Sequence, residues 1–317
     1  MNKATILCVG IAVGGYANAQ AYPTKPIRCI IPTSPGGGSD PLMRMIGQRL
    51  TQAWGQQVVI DHRPGAGQSI GIDIVAKSTP DGHTWALTNP SHAINATLMP
   101  KLPYDPVRDV TPVTILATQA YALVFTQSYP YKNIKELIAA AKARPRELTY
   151  ASSGPGSASH LAGEMFVHLA GIELTHIPYK GTGTVMPDLI AGRVPMMINP
   201  VLAMLSQVNA GKLRLIAVTS AKRLATMPDV PTVAESVPGY EAMSWYTLLV
   251  PAKTPGSTIT KINAEIVRAL KAPEVAKALN DVGADALGNT PAEADAFVRA
   301  EIARWGRVIK HAKVKIE

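Results

Sequence analysis

Cysteine is nearly absent from this 317-residue sequence, which contains two, Cys8 and Cys29. Cys8 stands inside a candidate export signal, so the exported chain keeps Cys29 alone. A single thiol excludes an internal disulfide and a cluster of thiolate metal ligands. Cys29 lies in the apolar run Ile27–Ile31, and we interpret it as a buried core residue.

Apolar runs long enough to cross a membrane are also lacking. An uncharged apolar run over residues 4–15 follows Lys3 and precedes Ala17-Asn18-Ala19, which is the layout of a cleavable secretory signal. A bilayer span needs about 20 apolar residues, so we predict cleavage after Ala19 and a periplasmic protein. Acylation of Cys8, as in a lipoprotein, is the alternative, but Leu7 stands where a small residue is expected.

Acidic residues are the minority, with 22 Asp and Glu against 31 Lys and Arg. The basic side chains are scattered singly, without the clusters and interleaved aromatic residues of a nucleic-acid surface. We therefore expect an anionic small-molecule ligand and no nucleic-acid partner.

Short apolar runs alternate with longer helical stretches, which is typical of an α/β fold. Strands are predicted over residues 27–31, 58–60, 85–88, 113–116, 122–125, 149–151, 194–198, 213–219 and 245–250. Capping boxes predict one helix from Asn133 that Pro145 stops, and another from Thr290 to about Lys313.

Each half of the chain contains a strand, a Gly/Ser-rich turn and a helix. The two turns are Pro35-Gly36-Gly37-Gly38-Ser39-Asp40 and Ser152-Ser153-Gly154-Pro155-Gly156-Ser157, and a third Gly-rich loop is Pro64-Gly65-Ala66-Gly67. A helix start has unpaired N–H groups and about half a positive charge, so such turns can bind an anion. Ser39, Ser157 and Ser159 can each cap a helix or contact a ligand, and we expect Ser157→Ala or Gly38→Val to weaken binding without unfolding.

Further polar residues stand at predicted strand ends, where open α/β sheets bind ligands. They are Thr88, Asn89, Ser91, His92, Asn95 and Asn199, while His160 lies one turn into the helix after the second turn.

Enzyme motifs are weak in this sequence. Gly67-Gln68-Ser69-Ile70-Gly71 matches the G-x-S-x-G pattern of a hydrolase elbow, but residues 63–66 separate it from the preceding strand, and no later Asp then His pair is evident. No His pair has metal-ligand spacing, and no nucleotide-binding motif occurs. We expect no catalysis, no cofactor and no metal, and a secreted hydrolase using Ser69 is the minor alternative.

Several motifs together resemble those of the tripartite tricarboxylate transporter substrate-binding proteins, also called Bug receptors. The resemblance covers essentially the whole exported chain. It rests on Tyr22-Pro23-Thr24-Lys25-Pro26-Ile27-Arg28, the turn at residues 35–40, Arg63-Pro64-Gly65-Ala66-Gly67, Leu102-Pro103-Tyr104-Asp105-Pro106, residues 156–164, Pro178-Tyr179-Lys180-Gly181, residues 217–223 and Pro228-Asp229-Val230-Pro231-Thr232.

The resemblance implies a two-lobed, type II-like periplasmic binding protein, in which each lobe is a central sheet flanked by helices and a hinged cleft separates the lobes. Beyond the signal predicted at residues 1–19, it implies lobe 1 at residues 20–122 and 229–317, and lobe 2 at residues 123–228. We expect a monomer that binds a small carboxylate and docks on membrane permease subunits, or alternatively on a sensor receptor. The implied ligand-binding residues are Ser34, Gly37, Gly38, Ser39, Ala66, Gly67, Thr88, Ser152, Ser153, Ser157 and His160, and we predict Gly181 and Asn199 in addition.

One departure from the family pattern bears on the ligand. Where relatives commonly read Val-Asp-Leu-Met-Phe-Asp, this chain has Val194-Pro195-Met196-Met197-Ile198-Asn199. An aspartate at the last position could pair a ligand ammonium, whereas Asn199 carries no charge. We therefore predict a dicarboxylate or aromatic carboxylate without a cationic group.

Overall fold

A computed structural model describes residues 22–99 and 101–312, so the predicted signal at residues 1–19 lies outside the described residues. In that part of the chain the strands are β1 (Ile27–Ile31), β2 (Val58–His62), β3 (Thr84–Thr88), β4 (Val110–Thr126), β5 (Thr149–Ser152), β6 (Thr175–Pro178), β7 (Met196–Pro200), β8 (Leu213–Val218), β9 (Met243–Pro251) and β10 (Ala284–Ala286). The helices are α1 (Ser39–Trp54), α2 (Ser69–Ala76), α3 (Ser91–Leu98), α4 (Ile134–Ala143), α5 (Ala158–Ala170), α6 (Thr182–Ile190), α7 (Val201–Asn209), α8 (Gly256–Leu270), α9 (Pro273–Asn280) and α10 (Pro291–Ala312).

The strands are arranged in two lobes that share β4. The strand order is β2-β1-β3-β9-β4-β7-β5-β6, with β10 and β8 also paired to β4. Residues Val110 to Ala120 of β4 pair with β9, and residues Tyr121 to Phe125 pair with β7. The strands β2, β1, β3, β9 and β10 with the first part of β4 therefore form lobe 1, and β7, β5, β6 and β8 with the second part form lobe 2.

Burial on both faces explains why the first strand is almost entirely apolar. β1 pairs in parallel with both β2 and β3, and parallel sheets are covered by helices on each side. Ile27 and Ile31 are fully buried, and so is Cys29, which confirms its interpretation as a core thiol. Burial raises the pKa of the Cys29 thiol to about 12.

Several predicted elements are confirmed and others differ. α4 begins after Asn133, whose Oδ1 accepts the N–H of Glu136 at 3.0 Å, and α10 begins after Thr290, whose Oγ1 accepts the N–H of Glu293 at 3.3 Å. The strands predicted at residues 113–116 and 122–125 are one strand, β4, because the residues between them remain paired with β9 and β7. The short strands β6 and β10 were not expected from the sequence.

Buried apolar residues also join elements of both lobes. Ala93, Ile94 and Leu98 of α3 belong to the same buried cluster as Leu161 of α5 and Trp305 of α10. None of the helices in residues 22–99 and 101–312 combines the length and apolar character of a membrane span. The lobe boundaries near residues 122 and 228 stay a prediction, although β4 changes its pairing between Ala120 and Tyr121.

Candidate ligand-binding cleft

A cavity of about 380 Å³ lies between the lobes. The loops around it follow the carboxyl ends of β1, β2, β5 and β6, which is where open α/β sheets bind ligands. The lining residues are Pro32, Thr33, Pro64, Gly65, Ala66, Gly67, Gln68, Met99, Ser153, Gly154, Pro155, Ser157, Tyr179, Lys180 and Gly181.

The loop between β2 and α2 has an unusual backbone. Gly65, Ala66, Gly67 and Gln68 have φ angles of 135°, 43°, 58° and 85°. Alanine and glutamine rarely adopt positive φ, and each such residue costs on the order of 1–3 kcal/mol. Strain of this kind persists only where the surroundings fix it, which makes the loop a candidate for ligand contact.

Polar side chains near the end of β3 hold this loop in place. The Thr88 hydroxyl donates to Gln68 Oε1 at 2.7 Å, and Gln68 Nε2 donates to Asn89 Oδ1 at 2.8 Å. The Asn95 side-chain amide also donates to the Gly67 carbonyl. Thr88 is fully buried and therefore supports the lining of the cleft from behind.

The serine-rich turn before α5 is fixed by its own hydroxyl groups. Ser157 Oγ accepts the N–H of His160 at 3.2 Å, so Ser157 is the N-cap of α5. Ser159 Oγ accepts the N–H of Ser153 at 2.9 Å and lies 2.8 Å from Ser153 Oγ and 3.1 Å from Ser157 Oγ. This network leaves Ser153 and Ser157 on the cavity wall with Ser159 behind them.

Two stacked histidine rings support this turn. The His160 and His176 ring centroids are 4.1 Å apart, Ser152 Oγ lies 2.6 Å from His176 Nε2, and His160 Nδ1 accepts the N–H of Gly156 at 3.3 Å. Burial and the neighbouring His160 lower the pKa of His176 to about 3, and burial also lowers the pKa of His160. Both rings are therefore neutral at neutral pH. Ser152 and His160 do not line the cavity and lie behind its wall.

The loop before α6 brings a positive charge to the rim. Lys180 is exposed, and within the described residues it has no ion-pair partner. Among the described residues, none that lines the cavity is acidic. Asn199 is buried behind this loop and donates from Nδ2 to Thr182 Oγ1 at 3.2 Å, so it does not line the cavity.

The turn before α1 lies beside the cavity and is not part of its lining. Ser34 and Ser39 are buried, and the N-cap of α1 is Gly38, which makes no side-chain cap. A Cβ atom on Gly38 would stand closer than 3.0 Å to Tyr246 Oη and 3.4 Å from Tyr246 Cζ. A Cβ atom on Gly37 would meet its nearest neighbour, Thr33 Oγ1, at 3.7 Å.

The structure thus sorts the predicted site residues into two groups. Ala66, Gly67, Ser153, Ser157 and Gly181 line the cavity. The remaining residues lie beside or behind it: Ser34, Gly37, Gly38, Ser39, Thr88, Ser152, His160 and Asn199. Thr33, Gln68, Met99 and Lys180 also line the cavity but were not predicted site residues, although Lys180 stands in the motif Pro178-Tyr179-Lys180-Gly181.

Ser69 lacks the surroundings of a hydrolase nucleophile. It is the first residue of α2, seven residues after β2 ends at His62. Within the described residues no hydrogen bond joins Ser69 to a histidine. Gly71 of the same motif has a packing role, because a Cβ there would stand 2.6 Å from Pro32 Cβ.

A model of the tripartite tricarboxylate transporter family receptors matches residues 42–314. The chain belongs to this family. The Bug protein BugT of Bordetella pertussis is 35% identical over 326 residues, covering 100% of both chains. The resemblance stated from the motifs is therefore confirmed, and members of this family are periplasmic solute-binding receptors.

Solved structures confirm the two-lobed α/β fold of a periplasmic binding protein. Rpa4515 of R. palustris, solved with adipate, has a TM-score of 0.90 and 38% identity, covering 93% of this chain and 99% of that chain. MatC from Rhodopseudomonas palustris, solved with bound malate, has a TM-score of 0.86 and 29% identity, covering 91% of this chain and 100% of that chain.

Proposed function

We propose that this receptor captures a dicarboxylate or an aromatic carboxylate in its interlobe cleft and delivers it to a tripartite tricarboxylate-type transporter. One observation carries the proposal. The loops that begin α2, α5 and α6 line one cavity, whose described lining residues include Lys180 and no acidic residue. Helix N-termini and an unpaired ammonium attract anions, and each helix end contributes about 0.3–1 kcal/mol.

The size of the cavity and the relatives support the same ligand class. Its volume of about 380 Å³ falls in the usual range for small-molecule sites, about 300–1,000 Å³. Adipate in Rpa4515 and malate in MatC are both dicarboxylates. An α-amino group would find no carboxylate on the cavity wall, so we propose a ligand without a cationic group.

Calorimetric titration of the mature protein tests the ligand class. Adipate, malate, terephthalate and nicotinate form one set of ligands, and aspartate and glutamate form the other. We expect binding within the first set and none in the second. Tight binding of an amino acid alone would contradict the proposal.

Replacing Lys180 by glutamine tests the charge at the rim. We expect Lys180→Gln to weaken binding of the best dicarboxylate about tenfold, which corresponds to about 1.4 kcal/mol. The loss should shrink at high salt, because the ammonium is exposed and screened. Lys212→Gln, at another exposed lysine of lobe 2, is the matched control and should bind like the wild type; equal affinities in all three proteins would remove Lys180 from the site.

We further propose that the chain is monomeric, that it is exported with cleavage after Ala19, and that it performs no catalysis. The membrane partner we propose is a pair of permease subunits, and a sensor receptor is the alternative. Deleting the gene should abolish uptake of the labelled ligand by intact cells, whereas a sensor role predicts normal uptake once the transporter genes are expressed constitutively.

A fluorophosphonate probe should leave Ser69 unlabelled.

A further inference from the structure

The loop after β1 in lobe 1 lies against the start of α6 in lobe 2, with almost no space between the backbones. A Cβ on Gly183 would stand closer than 3.0 Å to the Pro35 carbonyl oxygen and 3.2 Å from the Pro35 carbonyl carbon. A Cβ on Gly181 would stand 3.1 Å from Ser34 Cβ and 3.2 Å from the Ser34 nitrogen. Backbone atoms cannot turn aside as a flexible side chain does.

This contact is far from the strand that connects the lobes. In the strand order β2-β1-β3-β9-β4-β7-β5-β6, β1 is the third strand from β4 on one side and β6 is the third on the other. The loops after β1 and β6 therefore separate when the lobes rotate apart about β4, and they meet when the lobes close. Gly181 also lines the ligand cavity, so the contact forms part of its boundary.

The two glycines differ in their backbone conformation. Gly181 has a φ of 122°, so a side chain there is strained in either state of the cleft. Gly183 lies inside α6 with helical geometry, and alanine is a better helix former than glycine. Within lobe 2 alone, α6 would be more stable with alanine at position 183. Glycine is required there by the close contact with Pro35 of lobe 1.

We infer that Gly183 is a positioning residue for ligand capture: the absence of its side chain lets the Pro35 carbonyl approach and the cleft close fully. The inference rests on the proposed function, because closure over a ligand is what a binding receptor of this kind uses. A Cβ at position 183 blocks the closed state and leaves the open state intact. Since apparent affinity falls with the accessible fraction of the closed state, the substitution weakens binding without weakening the fold.

Gly183→Ala tests this inference with adipate as the probe. We expect the dissociation constant to rise at least about tenfold while the melting temperature of the ligand-free protein stays at or above the wild-type value. Gly183→Ser, which adds the same Cβ, should behave alike. Gly47→Ala is the matched control, because Gly47 lies inside α1 and a Cβ there would meet Val58 Cβ at an ordinary 3.5 Å.

A distance measurement separates loss of closure from loss of contact with the ligand. Spin labels on Lys77→Cys in lobe 1 and Lys132→Cys in lobe 2 report the lobe separation, and the native Cys29 is buried. With saturating adipate we expect a short distance in the wild type and Gly47→Ala, and a longer one in Gly183→Ala. Wild-type affinity together with a short distance in Gly183→Ala would overturn the inference.

Failure of the proposed function gives a different result. In that case the wild type binds neither adipate nor any other acid of the titration set. The labelled ligand-free proteins then still decide the closure inference, because Gly183→Ala should populate the short distance less than the wild type does. Identical ligand-free distributions would overturn it.

Discussion

The turn before α1 and the turn before α5 both lead from a buried strand into a helix, but different elements cover them. In the first turn, Gly38 packs against the hydroxyl group of the buried Tyr246, and Pro35 lies against Gly183 of the other lobe. In the second turn, Ser153 and Ser157 face the cavity and hydrogen bonds fix their hydroxyl groups. A helix start therefore becomes a ligand site only when no neighbouring element occupies the space in front of it.

Lobe 1 contributes to the cavity mainly through a different segment, the strained loop at residues 64–68. Its positive φ angles at Ala66 and Gln68 are held by Thr88, Asn89 and Asn95. Glycine in the turn before α1 thus permits close packing against Tyr246. The β2–α2 loop of lobe 1 and the turn before α5 in lobe 2 both line the cavity.

The largest effect should come from Gly38→Val in the first turn. The new side chain would overlap Tyr246, which is buried and hydrogen-bonded to Gln119 Nε2 at 2.9 Å. Overpacking of this kind costs about 1–3 kcal/mol, and we expect a loss near the upper end in urea unfolding. The sequence alone predicted weaker binding with an intact fold, and the position of Tyr246 changes that expectation.

Gly37→Ala is the control for this variant. Its Cβ would stand 3.7 Å from Thr33 Oγ1, an ordinary contact, so its free energy of unfolding should match the wild type. Equal stability of Gly38→Val and Gly37→Ala would show that Tyr246 moves aside at little cost, and the contrast between the two turns would lose its packing basis.

Strand positions followed from apolar runs where a strand is buried and of ordinary length. β1 and β5 begin at the predicted residues, and the β1 run is bounded on both sides by proline. The continuity of β4 could not be read from the sequence, since Ala117 to Tyr121 includes the polar Gln119. That side chain is buried between Tyr246 and the Leu202 N–H, partners that only the fold supplies.

The sequence predicted the kind of ligand site better than it predicted which residues line the cavity. Ser157 carries a local signal, because an N-cap serine after a glycine turn is visible in the sequence. Met99 and Gln68 carry no such signal. Met99 reaches the cavity because of how α3 packs, and Gln68 reaches it because of its left-handed backbone. Asn199 does not follow its strand as predicted but lies within β7, and its amide bonds Thr182 and does not line the cavity.

A smaller effect should follow from Ser157→Ala in the second turn. The change removes the N-cap of α5, which costs about 1 kcal/mol of stability, and also removes a hydroxyl from the cavity wall. We expect the dissociation constant of the best acid to rise about fivefold in calorimetry, which corresponds to about 1 kcal/mol, the net contribution of a typical hydrogen bond.

Thr290→Ala separates these two consequences. Thr290 caps α10 through the N–H of Glu293 at 3.3 Å and does not line the cavity, so this variant should lose similar stability and keep wild-type affinity. If both variants bind alike, Ser157 acts on the helix and not on the ligand.

The smallest effect concerns the histidine pair behind the second turn. Burial and His160 lower the pKa of His176 to about 3, whereas the histidine side chain in an unfolded chain titrates near 6.5. Below about pH 6.5 the His176 imidazole is protonated in the unfolded chain but stays neutral in the folded protein. The free energy of unfolding therefore falls as the pH drops toward 3. His160 and Tyr150 stack on this ring, and Glu164 contacts both of those residues.

His176→Gln removes this titration and retains a polar partner for Ser152. We expect its free energy of unfolding, from urea curves between pH 7 and pH 4, to fall less steeply with acid than that of the wild type. A residual slope should persist, because burial lowers the pKa of His92 in lobe 1 to about 4 as well. Identical dependence of the free energy of unfolding on pH in the two proteins would mean that His176 accepts its proton in the folded protein. The turn before α5 would then lie against a charged ring, and it would differ from the turn before α1 in charge as well as in packing.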